Sequence, residues 1–141
     1  NITFRNSIVG PDIKENGIGL LNWFMKQKKS ADGFTGVIWT GQTTLQLAKT
    51  MEIAAAKRAH GLYNMVPDES ISKYNLLMLF NKYIRSSPIE INPMDQFVTD
   101  KSLIRTRFKG FDYEIPDYET MIKQLGDWMQ EHKYLYPHYD L

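Results

Sequence analysis

A strand-forming run at the start of the sequence constrains the fold more than any other feature. Residues 2–9 are rich in β-branched and aromatic side chains, and Gly10 and Pro11 end the run, a pattern that predicts a β-strand. No turn or capping residue precedes it. Because an unpaired strand leaves its backbone hydrogen-bonding groups unsatisfied, this strand needs a sheet to join. We therefore interpret residues 1–11 as the last part of a strand from a larger sheet.

Three or four helices are predicted after this strand. Residues 12–29 have apolar side chains at helical spacing, although Gly17 and Gly19 weaken the first turn. The later helices are expected to start at the cap-like positions Thr43, Ser72 and Pro116–Asp117. The side chains expected to face the core are, helix by helix, Ile18, Leu21, Phe24 and Met25; Leu47, Ala48, Met51 and Ala55; Leu76, Leu77, Phe80, Tyr83 and Ile84; and Met121, Ile122, Leu125, Trp128 and Met129.

Short strands and one long loop complete the prediction. Strands are expected at residues 34–39, 62–66 and 89–91, with a turn at residues 30–33 and a loop over most of residues 92–116. A loop of that length inside a compact domain is usually a lid or a binding segment. Together these elements predict an α/β fold, α+β-like in its segregation, in which all 141 residues form one domain.

The composition excludes several classes of protein. Lys and Arg total 17 against 16 Asp and Glu, a net charge of +1, so no concentrated basic face is expected to bind nucleic acid. The sequence has no cysteine, which excludes disulfides, thiolate zinc sites and cysteine nucleophiles and suits a reducing cytoplasm. It also lacks a run of about 18 apolar residues of the kind that spans a membrane. We expect a cytoplasmic protein that binds neither nucleic acid nor membranes.

No self-sufficient active site is visible in the sequence. A dinucleotide-binding turn needs three spaced glycines after a strand. Gly17 and Gly19 are followed by Asn22 at the third position, and the preceding strand ends too early, at Val9. The three histidines have no metal-ligand spacing. We therefore predict no catalytic, cofactor-binding or metal-binding residue in this chain.

The order of several motifs nevertheless resembles a known family. The motifs are Arg5–Pro11, Trp39–Ala48, Gly61–Met65, Ile71–Tyr74, Asp100–Leu103 and Pro116-x-Tyr118. In this order they are similar to the carboxyl-terminal, substrate-binding half of extended short-chain dehydrogenases, and within that superfamily to the dTDP-4-dehydrorhamnose reductase group. One departure is Ile8-Val9-Gly10, where many of these reductases have Trp-Val-Tyr.

The resemblance implies a larger protein in which one half binds the cofactor and the other half binds the substrate. A Rossmann half, absent from this sequence, would bind NAD(P)H and supply a Tyr-x-x-x-Lys pair that moves the proton. This sequence contains no Tyr-x-x-x-Lys, so the chain alone is expected to be inactive and to hold no cofactor. The implied function is nucleotide-sugar binding for a reductase of polysaccharide or deoxysugar biosynthesis. The alternatives are a nucleotide-sugar epimerase of the same superfamily and a non-catalytic regulatory subunit on the same fold.

The candidate substrate-binding residues lie in two segments. Asn6 and Ser7 end the first strand, where the resemblance places the sugar. The long loop offers cations for a pyrophosphate and aromatic faces for a base: Lys101, Ser102, Arg105 and Arg107, with Phe108 and Phe111 nearby. The open edge of the strand at residues 2–9 is also a template for pairing with a second copy, which predicts a homodimer.

Overall fold

Four α-helices and seven β-strands form the part of the chain that the computed structural model describes, residues 1–107, 111 and 113–141. The strands are β1 (Ile2–Arg5), β2 (Ser7–Val9), β3 (Ser30–Trp39), β4 (Gly41–Thr43), β5 (Gly61–Asn64), β6 (Ile71–Ser72) and β7 (Glu90–Lys101). The helices are α1 (Leu20–Lys26), α2 (Thr44–Ala56), α3 (Lys73–Tyr83) and α4 (Tyr118–Glu131). The predicted α/β class with three or four helices is confirmed.

The first strand of the sequence is divided into two in the structure. Asn6 interrupts it, so that β1 pairs in parallel with β5 and β2 pairs in parallel with β4. Parallel partners cannot be joined by a tight turn and need a crossover connection. Helix α2 supplies part of that connection, because it links β4 to β5.

Two strands are longer than the sequence predicts. Residues 30–33, predicted as a turn, belong to β3, and residues 92–101, predicted as loop, belong to β7. The two strands pair in parallel from Ser30 opposite Glu90 to Trp39 opposite Lys101, with one irregularity in the register. Pro93 and the aspartates of β7 are poor strand formers, but backbone pairing with β3 outweighs their local preference. Pro93 is tolerated because β7 lies at the edge of its sheet.

The main core lies between α1, α3 and α4. Phe24 and Phe80 pack with ring centroids 5.8 Å apart, and Leu125 joins them from α4. The predicted core faces of α3 and α4 are confirmed in most positions, since their leucines, isoleucines and methionines are buried. Ile18 was expected in the core but is fully exposed, because α1 begins only at Leu20.

Helix α2 buries a different face from the one that the apolar pattern predicts. Met51 is 53% exposed, whereas Gln46 and Thr50 are buried. The reason is a buried polar network: the Gln42 amide donates to the Met65 carbonyl oxygen at 2.7 Å, and Thr50 Oγ1 donates to Gln42 Oε1 at 3.0 Å. These bonds tie α2 to β4 and to the chain beyond β5. Because Gln46 and Thr50 are polar, the apolar pattern of the sequence does not mark the face that they bury.

The predicted helix caps are present. Thr43 Oγ1 accepts from the Gln46 backbone N–H at 3.1 Å, and Ser72 Oγ accepts from that of Asn75 at 3.1 Å. Each cap satisfies a backbone donor that the first helical turn leaves unpaired. Among the described residues, no helix combines the length and the apolar character that crossing a bilayer requires.

Candidate functional site

A cavity of about 320 Å³ opens where β2, the ends of β3 and β7, and the start of α3 meet. Its polar lining residues are Ser7, Lys73 and Lys101, and Trp39 forms part of the wall. The remaining wall is aliphatic: Ile8, Val9, Leu20, Val37, Ile38 and Leu76. An apolar cavity of a few hundred cubic ångströms with a few polar groups is the usual form of a small-molecule site.

Strand pairing brings these groups together from distant parts of the sequence. Ser7 lies opposite Gly41 in the β2–β4 pair, and Trp39 lies opposite Lys101 in the β3–β7 pair. A Cβ atom on Gly41 would fall well inside van der Waals contact with the Trp39 ring and with the Ser7 carbonyl oxygen. Only glycine therefore lets the indole lie against the backbone at this corner of the cavity.

The lining of this cavity carries a net positive charge. Its described residues include Lys73 and Lys101 and no carboxylate, a formal charge of two positive units. Within the described part of the chain, neither lysine has a carboxylate oxygen within 4.0 Å. The cavity can therefore offer two cations to an anionic group without first breaking an ion pair.

Lys73 is a site residue that sequence reasoning missed. It is the first residue of α3, directly after the Ser72 cap, and it stands in one of the motifs that carry the family resemblance. Only the packing of α3 beside β3 places it at the cavity. The sequence shows the motif but not its position in space.

The two predicted arginines lie in a second group around Asp68. Arg107 contacts the Asp68 carboxylate at 2.5 Å and Arg105 contacts it at 3.4 Å. Arg105 also donates to the Tyr113 carbonyl oxygen and lies 4.6 Å from the centre of the Tyr113 ring. Burial raises the pKa of the Tyr113 hydroxyl, and the charge of Arg105 opposes that rise.

This second group lines a cavity of about 460 Å³ with a balanced charge. Its described lining contains Arg105 and Arg107 together with the carboxylates of Asp68 and Glu114. The two cations are thus matched by two anions. An anionic ligand there would compete with Asp68 for both guanidinium groups.

The remaining predicted residues lie outside the first cavity. Asn6 stands between β1 and β2, and its side-chain amide donates to the Ser7 carbonyl oxygen at 3.2 Å. Ser102 follows β7, where its backbone N–H donates to Asp100 Oδ1 at 2.8 Å.

The two predicted aromatic residues provide no observed surface for a base. Phe111 is buried against Tyr63 and so offers no open face. Phe108 lies outside the described residues. Of the predicted residues, Ser7 and Lys101 thus share the first cavity, and Arg105 and Arg107 share the second.

The described segment that follows β7 is tied to the fold. The Leu103 backbone N–H donates to Thr40 Oγ1 at 2.8 Å. Asn64 then holds the next residues, because its side-chain amide donates to the Ile104 carbonyl oxygen and its backbone N–H donates to Thr106 Oγ1, each at 2.9 Å. The expectation of a long loop over residues 92–116 is therefore wrong for residues 92–101, which form β7, and residues 103–106 are anchored by these bonds.

The glycine turn before α1 does not fit the pyrophosphate of a dinucleotide. The Gly19 N–H donates to Asp12 Oδ2 at 3.1 Å, and a Cβ on Gly17 or Gly19 would collide with the Asp12 carboxylate. A negative side chain thus occupies the space next to the amide that a phosphate would need. The described residues also contain no group of three or more His, Asp or Glu side chains that could hold a metal ion.

Comparison with known proteins gives a likeness of fold. No protein-family model matches the sequence, and no curated protein matches it. Among solved structures, the chain is similar to UDP-N-acetylglucosamine 4-epimerase from Methanobrevibacter ruminantium M1 in complex with UDP-N-acetylmuramic acid, with a TM-score of 0.61 and 14% identity over 93% of this chain and 46% of that one. It is also similar to dTDP-4-dehydrorhamnose reductase from Bacillus anthracis in complex with NADP, with a TM-score of 0.60 and 11% identity over 84% of this chain and 44% of that one.

Both neighbours have the Rossmann-like fold of short-chain dehydrogenases, and this chain spans less than half of their length. The predicted fold class is confirmed, and at these identities the likeness is one of fold alone, so membership of the superfamily that the motifs indicated stays a prediction. The narrower assignment to the dTDP-4-dehydrorhamnose reductase group stays a prediction.

Proposed function

We propose that this chain is the nucleotide-sugar-binding part of an NAD(P)-dependent sugar-nucleotide reductase, similar to dTDP-4-dehydrorhamnose reductases. The observation that carries the proposal is the cavity of Ser7, Lys73 and Lys101, which combines an aliphatic wall with two lysines that form no ion pair with any described residue. A nucleotide-sugar carries a diphosphate, for which the lysines are suitable partners, and sugar hydroxyls, for which Ser7 is one. The fold shared with two sugar-nucleotide enzymes supports the same reading.

In this proposal the cofactor is bound outside the described residues. The turn at Gly17 and Gly19 is filled by the Asp12 carboxylate and does not suit a dinucleotide. NAD(P)H would supply the hydride from a Rossmann part of the same protein, while this chain holds the sugar. The chain by itself is therefore proposed to bind substrate without turning it over.

Calorimetric titration of this chain tests the proposal. We expect dTDP- and UDP-linked sugars to bind, and the free sugars and NADPH to give no measurable heat. The free sugars are the matched control, because they lack the nucleoside diphosphate. Failure of every nucleotide-sugar to bind, or oxidation of NADPH by this chain alone, contradicts the proposal.

An epimerase is the second candidate, and the likeness to the 4-epimerase over 93% of this chain favours it. The two activities differ in their use of cofactor. A reductase consumes one NAD(P)H for each sugar reduced, whereas an epimerase returns the hydride and consumes none. Measuring NAD(P)H consumption against sugar product in the protein that contains this chain separates them.

Arg105 and Arg107, in the second cavity, are the alternative contacts to the pyrophosphate, in place of the two lysines. If one of them binds it, replacement by alanine weakens nucleotide-sugar binding about ten- to a hundredfold. The affinity for NAD(P)H is unchanged in the protein that contains this chain. Unchanged sugar affinity in both variants rules out the arginines as pyrophosphate ligands.

A further inference from the structure

We infer that Lys73 and Lys101 form the anion-binding pair of the cavity, and that Lys73 is the stronger of the two contacts. The inference rests on the proposed function, since it assigns residues to the diphosphate of the proposed ligand. The ligand class is an organic diphosphate, whose two phosphate groups offer one anionic partner to each lysine. Lys73 joins the proposed site only through the structure.

The two cavities differ in charge. The cavity at Ser7 has two lysines and no carboxylate among its described lining residues, whereas the cavity at Asp68 has two arginines and two carboxylates. Arg105 and Arg107 both contact Asp68. A diphosphate that enters the first cavity gains two cationic contacts. In the second cavity the carboxylates repel it, and it must displace Asp68 to reach the arginines.

The Lys73 side chain is available to a ligand. It forms no hydrogen bond and no ion pair with any described residue, and it is half-buried at the first turn of an 11-residue helix. The positive end of the α3 dipole adds to its charge. A partly buried charge acts through less water than an exposed one, so its attraction to an anion is stronger.

Lys101 has a weaker position in the same cavity. It is the last residue of β7 and is exposed. Solvent and salt screen its charge more fully than that of Lys73. Loss of Lys101 should therefore reduce anion affinity less than loss of Lys73.

Lys73 borders two cavities. It also lines a neighbouring groove, with Trp23, Phe34 and Asp32, and the groove shares Leu20 with the first cavity. A phosphate held at Lys73 thus has space on both sides for the organic groups attached to it. This arrangement favours a diphosphate substituted at both ends over a simple phosphate monoester.

The test is titration of this chain with inorganic pyrophosphate, without divalent cations, for the wild type and three lysine variants. We expect Lys73→Gln to weaken binding about tenfold and Lys101→Gln about threefold. Lys26→Gln, an exposed lysine of α1 outside both cavities, should leave the affinity unchanged. Lys73→Arg should retain most of it, and thermal unfolding confirms that each variant is folded.

The outcomes separate this inference from the proposed function. Pyrophosphate affinity that is unaffected by Lys73→Gln, or the absence of pyrophosphate binding, overturns the inference. Nucleotide-sugar binding that is insensitive to both lysines overturns it while the proposed function stands. Lysine-dependent binding of pyrophosphate, with no binding of any nucleotide-sugar, supports the anion pair and contradicts the proposed function.

Discussion

Trp39 and Lys101 are direct partners in the parallel pairing of β3 with β7, and each is the last residue of its strand. Both line the cavity that also contains Ser7 and Lys73. In sheets with parallel strands, ligands bind outside the carboxyl ends of the strands. The position of the cavity at the ends of β3 and β7 agrees with that rule, and it explains why residues 62 positions apart in the sequence contribute to one site.

Replacing Gly41 with alanine should disturb this corner of the cavity. The added methyl group would overlap the Trp39 ring and the Ser7 carbonyl oxygen. We expect a loss of about 1–3 kcal/mol in the free energy of unfolding, measured by urea denaturation. A Trp39→Leu change in the same protein should recover part of that loss. Full stability in the single Gly41→Ala variant would show that the indole is not held against this backbone.

Arg85 is expected to stabilise the end of α1. One nitrogen of its guanidinium donates to the carbonyl oxygens of Phe24 and Gln27 at 3.1 and 3.0 Å. Arg85→Met should lower the free energy of unfolding by about 1–3 kcal/mol, because it leaves these carbonyls without their charged donor. Arg5→Met, at an exposed position of β1, is the matched control and should change it by less than about 0.5 kcal/mol. Equal effects of the two changes would exclude a capping role.

Two tyrosines should make the protein less stable in alkali. Burial raises the pKa values of Tyr118 and Tyr139 from 10.0 to about 12. The folded state therefore favours the neutral phenols, and their contribution to stability is complete below pH 10 and is lost as the pH rises from 10 towards 12. Urea denaturation between pH 8 and about 11.5 measures the loss. In the Tyr118→Phe, Tyr139→Phe double variant the slope above pH 10 should become shallower; an unchanged slope would assign it to other groups.

Arg105 and Arg107 should differ in their effect on folding. The Arg105 side chain is 9% exposed and contacts Tyr113, whereas that of Arg107 is 66% exposed. Arg105→Ala should cost about 1–3 kcal/mol of unfolding free energy, because it removes charged hydrogen bonds from a buried site. Arg107→Ala should cost less than about 0.5 kcal/mol, as is usual for an exposed ion pair. Chemical denaturation of both variants tests this, and similar losses would contradict the assigned burial.

The elements predicted best from the sequence were those set by local signals. The caps at Ser72 and Thr43 fix helix starts through bonds within three residues, and the apolar stripes of α3 and α4 follow directly from their spacing. The sequence does not show which distant segments pair with each other as β-strands. Phe97, Val98 and Thr99 favour a strand, but Pro93 and Asp95 oppose it, and the partner that stabilises residues 92–101 as a strand lies far away in the sequence, in β3.

The same reason explains what was missed at the site. Lys73 reaches the cavity through packing of α3, and Asp68 meets Arg105 and Arg107 across about 40 residues of sequence. Contacts that depend on tertiary packing leave no periodic pattern. The predicted homodimer through the edge of the first strand stays a prediction.

The position of Trp39 gives the cavity an optical reporter of its own. Of the three tryptophans, Trp39 lines the cavity, Trp23 lies in the neighbouring groove, and Trp128 stacks on His132 with ring centroids 4.2 Å apart. A ligand that enters the cavity changes the polarity around the Trp39 indole, and with it the emission wavelength. Occupancy can therefore be followed by fluorescence without any label, and Trp39→Phe identifies the part of the signal that comes from the cavity.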